Sequence, residues 1–188
     1  MRIFAPARFL DQSTQPHIAT LIALASISAL AMNIFLPSLP SMAAYYNTTP
    51  SMMSLSVAIY LGASALLQLF SGPISDRIGR RPVILISLIL FIIASLATIW
   101  APNTETFLAL RFVQAFAATT MVLSRAVVRD TVGKEAAASK IAYVTMGMAV
   151  APMIGPGIGG YLDKYFGWQA IFAAISRPRI MYLYPNMV

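Results

Sequence analysis

The chain has 188 residues, of which 59% are hydrophobic and only 10% charged, with 13 Lys/Arg against 6 Asp/Glu and a net charge of +7. A soluble domain carries about 25% charged residues, so a mean hydropathy of +0.75 rules out an ordinary water-facing globule. The absence of cysteine removes disulfides, thiolate nucleophiles and thiolate metal sites, and the single histidine, His17, cannot build a metal centre alone. The cations are scattered among long uncharged runs and form no basic face of the kind that tracks phosphates, so nucleic acid is not a partner.

Residues 12 to 75 contain no Asp, Glu, Lys or Arg and are interrupted only by the turn-like Asn47-Thr48-Thr49-Pro50. A membrane-crossing helix needs about 20 apolar residues, so this stretch holds two spans, near 18–39 and 52–70. Three more follow near 82–101, 106–124 (broken by Arg111) and 141–162. The first is too long for the h-region of a signal peptide, about 7 to 15 residues. A sixth begins near 167, but only Tyr165 to Ser176 is uncharged, and such a stretch reaches about 18 Å, short of the hydrocarbon thickness. The tail 177–188 carries two arginines and two prolines without a helical period. Truncation or a change of reading frame near Ser176 is the expectation, with a short re-entrant end as the alternative. The fold class is thus all-α and integral to the membrane, with a cytoplasmic segment 1–16, a helical domain over 17–176 and an aberrant tail.

Alternate loops receive cations very unequally. One side holds Arg2, Arg8, Arg77, Arg80, Arg81, Arg125, Arg129, Lys134 and Lys140; the other holds Lys164 alone. The positive-inside rule makes the first side, with the N-terminus, cytoplasmic. Tyr45, Tyr46, Trp100, Tyr165 and Trp168 gather toward the opposite interface, where amphipathic rings anchor.

The loop after the second span reads Gly72-Pro73-Ile74-Ser75-Asp76-Arg77-Ile78-Gly79-Arg80-Arg81. Gly72 permits close helix approach, Gly79 a tight turn, and Asp76 can accept hydrogen bonds from a helix N-terminus. In the fifth span Gly147, Ala151, Gly155 and Gly159 recur every four residues, leaving one helix face nearly bare, while Pro152 and Pro156 weaken the backbone ladder. Arg111 lies about 9 Å below the outer end of the fourth span. It faces a cavity or a partner or, by snorkelling, the headgroups. Arg125 and Arg129 share a helix face and either pair with Asp76, bind anionic headgroups or remain solvated. Tyr60 and Gln68 are polar positions in the second span that line a cavity or make packing hydrogen bonds.

The Gly72 to Arg81 loop resembles the signature of the major facilitator superfamily. Gly155-Pro156-Gly157-Ile158-Gly159-Gly160 is similar to its exporter motif G-P-x-x-G-G, and Arg111-Phe112-Val113-Gln114-Ala115 to its R-x-x-Q-G motif, with Ala115 in place of glycine. Asn33-Ile34-Phe35-Leu36-Pro37-Ser38-Leu39-Pro40 resembles the D-x-Y-L-P-x-x-P segment of the Bcr/CflA drug-resistance subfamily, with Asn33 where the acidic proton carrier stands. The resemblance covers about 15–175 and implies the N-terminal, six-helix half of a twelve-helix transporter of the inner membrane, with no cofactor and the proton gradient as coupling source. It implies export of small amphipathic drug-like molecules by proton antiport, with Arg111 biasing coupling and Asn33, Gln114 and Tyr60 as substrate or proton-coupling candidates. The loop residues Gly72, Asp76, Arg77, Gly79, Arg80 and Arg81 would latch the cytoplasmic gate, and Gly147, Ala151, Pro152, Gly155, Pro156, Gly159 and Gly160 would shape the pivot. The alternatives are a transport-inactive membrane fragment and a half-transporter acting with a second copy; an uptake permease fits the exporter motif less well, and an enzyme is not expected.

An internal echo stands apart from the resemblance. Gly72-x-x-x-Asp76-Arg77-x-Gly79 recurs as Gly159-x-x-x-Asp163-Lys164-x-x-Gly167, each at the exit of the middle span of a three-span set. The two exits fall on opposite sides of the bilayer, which is the pattern of an inverted repeat.

Overall fold

The computed structural model describes residues 18–131 and 134–181, and every regular element among them is helical. Eight α-helices follow one another: α1 (Ile18–Asn33), α2 (Leu39–Tyr45), α3 (Pro50–Ile78), α4 (Arg80–Ile99), α5 (Thr104–Gln114), α6 (Ala117–Thr131), α7 (Lys134–Phe166) and α8 (Gln169–Met181), with a 3-10 turn, Leu36–Ser38, between α1 and α2. They supply five stretches long and apolar enough to cross a membrane: Ala19–Tyr45, Pro50–Ile78, Arg80–Ile99, Thr104–Asp130 and Ala137–Phe166. Helices suit this solvent because every backbone N–H and C=O is satisfied within the segment. The segment 1–16 and the end of the tail, 182–188, lie outside the described residues. Helix α8 continues through Met181, so helical backbone passes Ser176 into the stretch read as an irregular tail.

Helix starts and stops follow local chemistry. Thr49 accepts a hydrogen bond from the Met52 amide at 3.2 Å with Pro50 in the first turn of α3, and Asn103 accepts from the Thr106 amide at 2.8 Å to open α5. Gly79 (φ +104°) ends α3 and Gly167 (φ +79°) ends α7, each amide donating four residues back, to Ser75 at 2.9 Å and to Asp163 at 3.0 Å. A positive φ disfavours a Cβ, so each member of the internal echo ends its helix at a glycine.

Two spans are interrupted where the sequence reading had them continuous. The first breaks after Asn33 and resumes at Leu39, because Pro37 and Pro40 have no N–H to continue the ladder. The fourth breaks at Ala115–Phe116, where backbone bonds shorten to the three-residue pattern: Ala115 to Phe112 at 3.2 Å, Phe116 to Val113 at 3.1 Å and Ala118 to Ala115 at 2.9 Å. No proline or glycine marks this place. The Ser28 hydroxyl of α1 lies 2.9 Å from the Ala117 carbonyl and 2.7 Å from the Thr120 hydroxyl, fixing the tightened turn to α1.

The glycine face of α7 packs on α1, and the two helices run parallel. A Cβ at Gly147 would meet Ile22 and Ser26 at 2.7 and 2.6 Å, one at Gly155 would meet Leu30 at 3.0 Å, and one at Gly159 would overlap the Ile34 carbonyl. Ala151 is buried in the same row. Small residues are what allow two backbones to approach this closely in lipid. A Cβ at Gly72, by contrast, would meet nothing within 4 Å, so the expectation that it brings helices together is not met among the described residues. The bundle closes with α4 against α5, α6 and α8, and α3 against α5 and α6.

Each end of the bundle has its own chemistry. At one end Tyr45, Tyr46, Phe107, Trp168 and Phe172 form a cluster of edge-on and tilted rings with centroids 5.0 to 6.2 Å apart, each touching the next. Burial, helped by the neighbouring Tyr45 phenol, pushes the Tyr46 pKa up to about 12. The phenol therefore stays protonated and donates to the Ala101 carbonyl at 3.2 Å. The other end carries the arginines.

Candidate functional site

In the last turn of α5, Arg111 and Gln114 lie on the same face, three residues apart, and both are fully buried. Arg111 Nη1 donates to Gln114 Oε1 at 2.6 Å, and Gln114 Nε2 donates to Thr98 Oγ1 of α4 at 2.8 Å. The Thr98 hydroxyl in turn donates to the Ala94 carbonyl at 2.7 Å. The chain of donors therefore runs from a charged guanidinium on α5 to the backbone of α4.

Two aromatic rings cover the guanidinium. Its Cζ sits 3.9 Å from the centroid of Phe35, in the broken stretch after α1, and 4.8 Å from that of Tyr60 on α3. Cation–π contact strengthens when the pair is removed from water, and here Arg111 is 0% exposed. The snorkelling alternative is thereby excluded: the side chain points into the bundle. Four spans meet at this one cation, and at depth a cation of this kind is by default a functional feature.

The structure thus brings Arg111, Gln114 and Tyr60 together and adds Phe35 and Thr98, which the sequence reading did not single out. Asn33 is satisfied locally, its amide donating to the Ala29 carbonyl at 2.9 Å. Gln68 is half-buried on α3, two turns beyond Tyr60. Thr98 lies two positions before Trp100 whereas Arg111 lies eight beyond Asn103, so counting inward from the connecting turn gave no signal for Thr98.

The arginine-bearing end is organised by Arg80. Its guanidinium pairs with Asp76 at 2.6 Å, reaches Asp130 of α6 at 3.1 Å and touches the Ser75 hydroxyl. One side chain thus ties the end of α3, the start of α4 and the end of α6. Asp76 takes this guanidinium as its partner, in place of the helix N-terminus expected for it. Neither Arg125 nor Arg129 reaches Asp76: Arg125 Nη2 contacts Met148 Sδ at 3.2 Å and Arg129 lies 3.9 Å from Asp130. Arg77 is exposed and Arg81 half-buried.

At the opposite end the glycine motif of α7 meets the proline segment after α1. Gly160 faces Pro37, with 3.7 Å between the Pro37 Cβ and the place of a Cβ, and the Ser41 hydroxyl lies 2.8 Å from Asp163 Oδ2. Pro152 and Pro156 lie inside α7, each withdrawing one donor from the ladder on the helix that carries the glycine face.

Residues 21–176 match the Major Facilitator Superfamily. The chain is 34% identical over 167 residues to a bicyclomycin resistance protein homolog of Haemophilus influenzae, covering 88% of this chain and 42% of that protein. It is 37% identical to a chloramphenicol resistance protein of Pseudomonas aeruginosa (80% and 36%) and 31% identical to multidrug resistance protein D of Escherichia coli (81% and 39%). The chain therefore spans roughly two fifths of the length of these relatives. With a family match over most of its residues and five apolar helices of spanning length, the chain is a multi-pass membrane protein that belongs to the Major Facilitator Superfamily.

Proposed function

We propose that this chain forms one wall of a proton-coupled exporter of small amphipathic drug-like molecules, working by alternating access in the inner membrane with its N-terminus in the cytoplasm. The observation that carries the reading is the buried Arg111, Gln114 and Thr98 group beneath Phe35 and Tyr60, a polar centre in an apolar bundle. The relatives' names, which cite bicyclomycin, chloramphenicol and multidrug resistance, support export of drugs. The asymmetry of cations between alternate loops supports the orientation.

On this reading Arg111 biases coupling by its fixed charge, and Gln114, Tyr60 and Asn33 line the substrate path. The Arg80 hub, with Gly72, Asp76, Arg77, Gly79 and Arg81 around it, latches the cytoplasmic gate by holding three helix ends together. The α7 row of Gly147, Ala151, Pro152, Gly155, Pro156, Gly159 and Gly160 is the pivot on which α7 moves against α1. Asn33 cannot titrate, and no Asp or Glu occurs at 12–75, 77–104 or 106–129. Asp163, at the outer end of the fifth span, is engaged by the Ser41 hydroxyl, and on this reading the proton is carried on a group of the second wall, with the proton gradient as the only energy source and no cofactor. That wall is the remainder of a full-length transporter or a second copy of this chain. It would cover α3 and α7, whose Leu66, Leu69, Phe70, Met153, Ile154 and Tyr161 all face outward.

Everted vesicles from an efflux-deficient host test the proposal. The chain is expressed alone and with the C-terminal half of the Escherichia coli relative. Chloramphenicol addition is expected to release a preformed pH gradient when a second wall is present. Failure of the drug to move protons in either preparation overturns it.

A further inference from the structure

Three side chains contact the Arg111 guanidinium: Gln114 holds the Nη1 end at 2.6 Å, and the ring centroids of Phe35 and Tyr60 lie 3.9 and 4.8 Å from Cζ. The remaining nitrogens, Nε and Nη2, are buried and have no hydrogen-bond partner. Their N–H groups lie side by side along one edge and point the same way, the fork that matches the two oxygens of a carboxylate. A buried donor without an acceptor retains its full desolvation cost, so the edge favours any anion of the right shape that reaches it.

Asp163 of α7 is engaged by the Ser41 hydroxyl, and no acid of α4, α5 or α6 pairs with Arg111 among the described residues. Glu105 is the one acid between Asp76 and Asp130; it is exposed in the first turn of α5 and lies six residues, about 9 Å of helix rise, from Arg111. Among the described residues no ion pair includes Arg111. Two aromatic rings beside the fork add an apolar wall of the kind that suits an organic body rather than a bare ion.

We propose that the Nε and Nη2 edge of Arg111 is a carboxylate-binding fork, and that the substrates of this transporter include amphipathic monocarboxylates whose apolar part lies beside Phe35 and Tyr60. The inference rests on the transport reading above, since alternating access is what opens the enclosed fork to a ligand. It gives that reading a charge preference: organic anions over neutral or cationic molecules of the same shape.

The chain assembled with the C-terminal half of the Escherichia coli relative in lipid nanodiscs is titrated with 2-naphthoate, 2-naphthamide and 2-naphthylmethylammonium in sodium gluconate and in sodium chloride. Naphthoate is expected to bind about tenfold to a hundredfold more tightly than the amide, the range that charge-assisted hydrogen bonds to an ion supply, and the ammonium compound most weakly. Arg111→Lys keeps the charge without the fork and is expected to lose most of the preference; Arg111→Gln is expected to lose all of it. Because either variant can fail to fold, the wild-type chain labelled with 15N-arginine gives a second readout. One arginine Nε–H resonance should move on adding naphthoate and stay still on adding naphthamide. Equal binding of the acid and the amide, no binding of either, or a preference untouched by Arg111→Lys overturns the proposal. So does abolition of naphthoate binding by chloride, which would mark the fork as a site for a free inorganic anion. Any of these outcomes leaves drug-driven proton release in vesicles untouched, so the charge preference and the transport reading fail separately.

Discussion

The exits of α3 and α7 carry the same sequence pattern and end at the same kind of glycine, yet they are held by different forces. At the α3 exit one guanidinium, Arg80, binds Asp76, Ser75 and Asp130, while the place of a Cβ at the upstream Gly72 is open. At the α7 exit the upstream Gly159 lies against the backbone of Ile34, Gly160 faces Pro37, and Asp163 takes the Ser41 hydroxyl. Trp168 and the tyrosines pack just beyond. The charged exit ties helix ends together where water can compete; the glycine exit seats one backbone on another within the apolar layer. A shared motif therefore records a shared turn and leaves the neighbouring contacts to be set by which helix lies alongside.

Gly159→Ala separates the two most sharply. The added methyl would collide with the Ile34 carbonyl, a backbone atom that cannot rotate away. A loss of about 3 kcal/mol or more is expected, the upper part of the overpacking range, read as the midpoint of thermal unfolding in detergent. Unchanged stability would mean that the α1 and α7 seam is not close-packed.

Gly79→Ala follows. At φ +104° and ψ 149° the backbone is in a region that only glycine occupies without strain, and the cost is expected to be about 1 to 3 kcal/mol. Gly167→Ala, at φ +79°, is expected to cost about 1 kcal/mol, since this φ lies closer to the value of about +60° that residues with a Cβ can adopt. Equal costs at the two positions would mean that the exits differ less in backbone than their dihedrals indicate.

Removing the Arg80 hub has a smaller effect because the groups around it are partly solvated. Asp130→Asn is expected to cost about 0.5 to 1 kcal/mol and to lose most of that difference in high salt, as exposed ion pairs do. Salt should leave Ser41→Ala, at the other exit, unchanged. Last comes Gly72→Ala, which meets nothing within 4 Å and should stabilise α3 by about 0.5 to 1 kcal/mol through helix propensity alone. A destabilisation there would reveal a neighbour supplied by another wall of the transporter.

How much of this was legible beforehand follows from the physics of each feature. Charge-free runs and cation asymmetry are properties of single segments, so the spans were visible, as was the α7 glycine row with its period of four. The turn glycines could be found because the echo placed both at helix exits. Partners across the bundle could not. Thr98 meets Gln114 from sixteen positions away, Phe35 reaches Arg111 only because the first span breaks at its prolines, and Asp130 joins Arg80 only once α6 returns beside α4. The break at Ala115–Phe116 has no proline or glycine to announce it; it coincides with the hydroxyls of Ser28 and Thr120 meeting the Ala117 carbonyl. Gly72 misled for the reverse reason, because a small residue permits a close approach without requiring one.

The central claim, that the two exits are inverted copies on opposite faces of the bilayer, is open to a direct measurement because the chain has no cysteine of its own. Arg77→Cys and Lys164→Cys are made singly and treated in intact cells with a membrane-impermeant maleimide. The account predicts that Cys at 164 is labelled from outside, whereas Cys at 77 reacts only after the cells are opened. Labelling of both from the same side would contradict it.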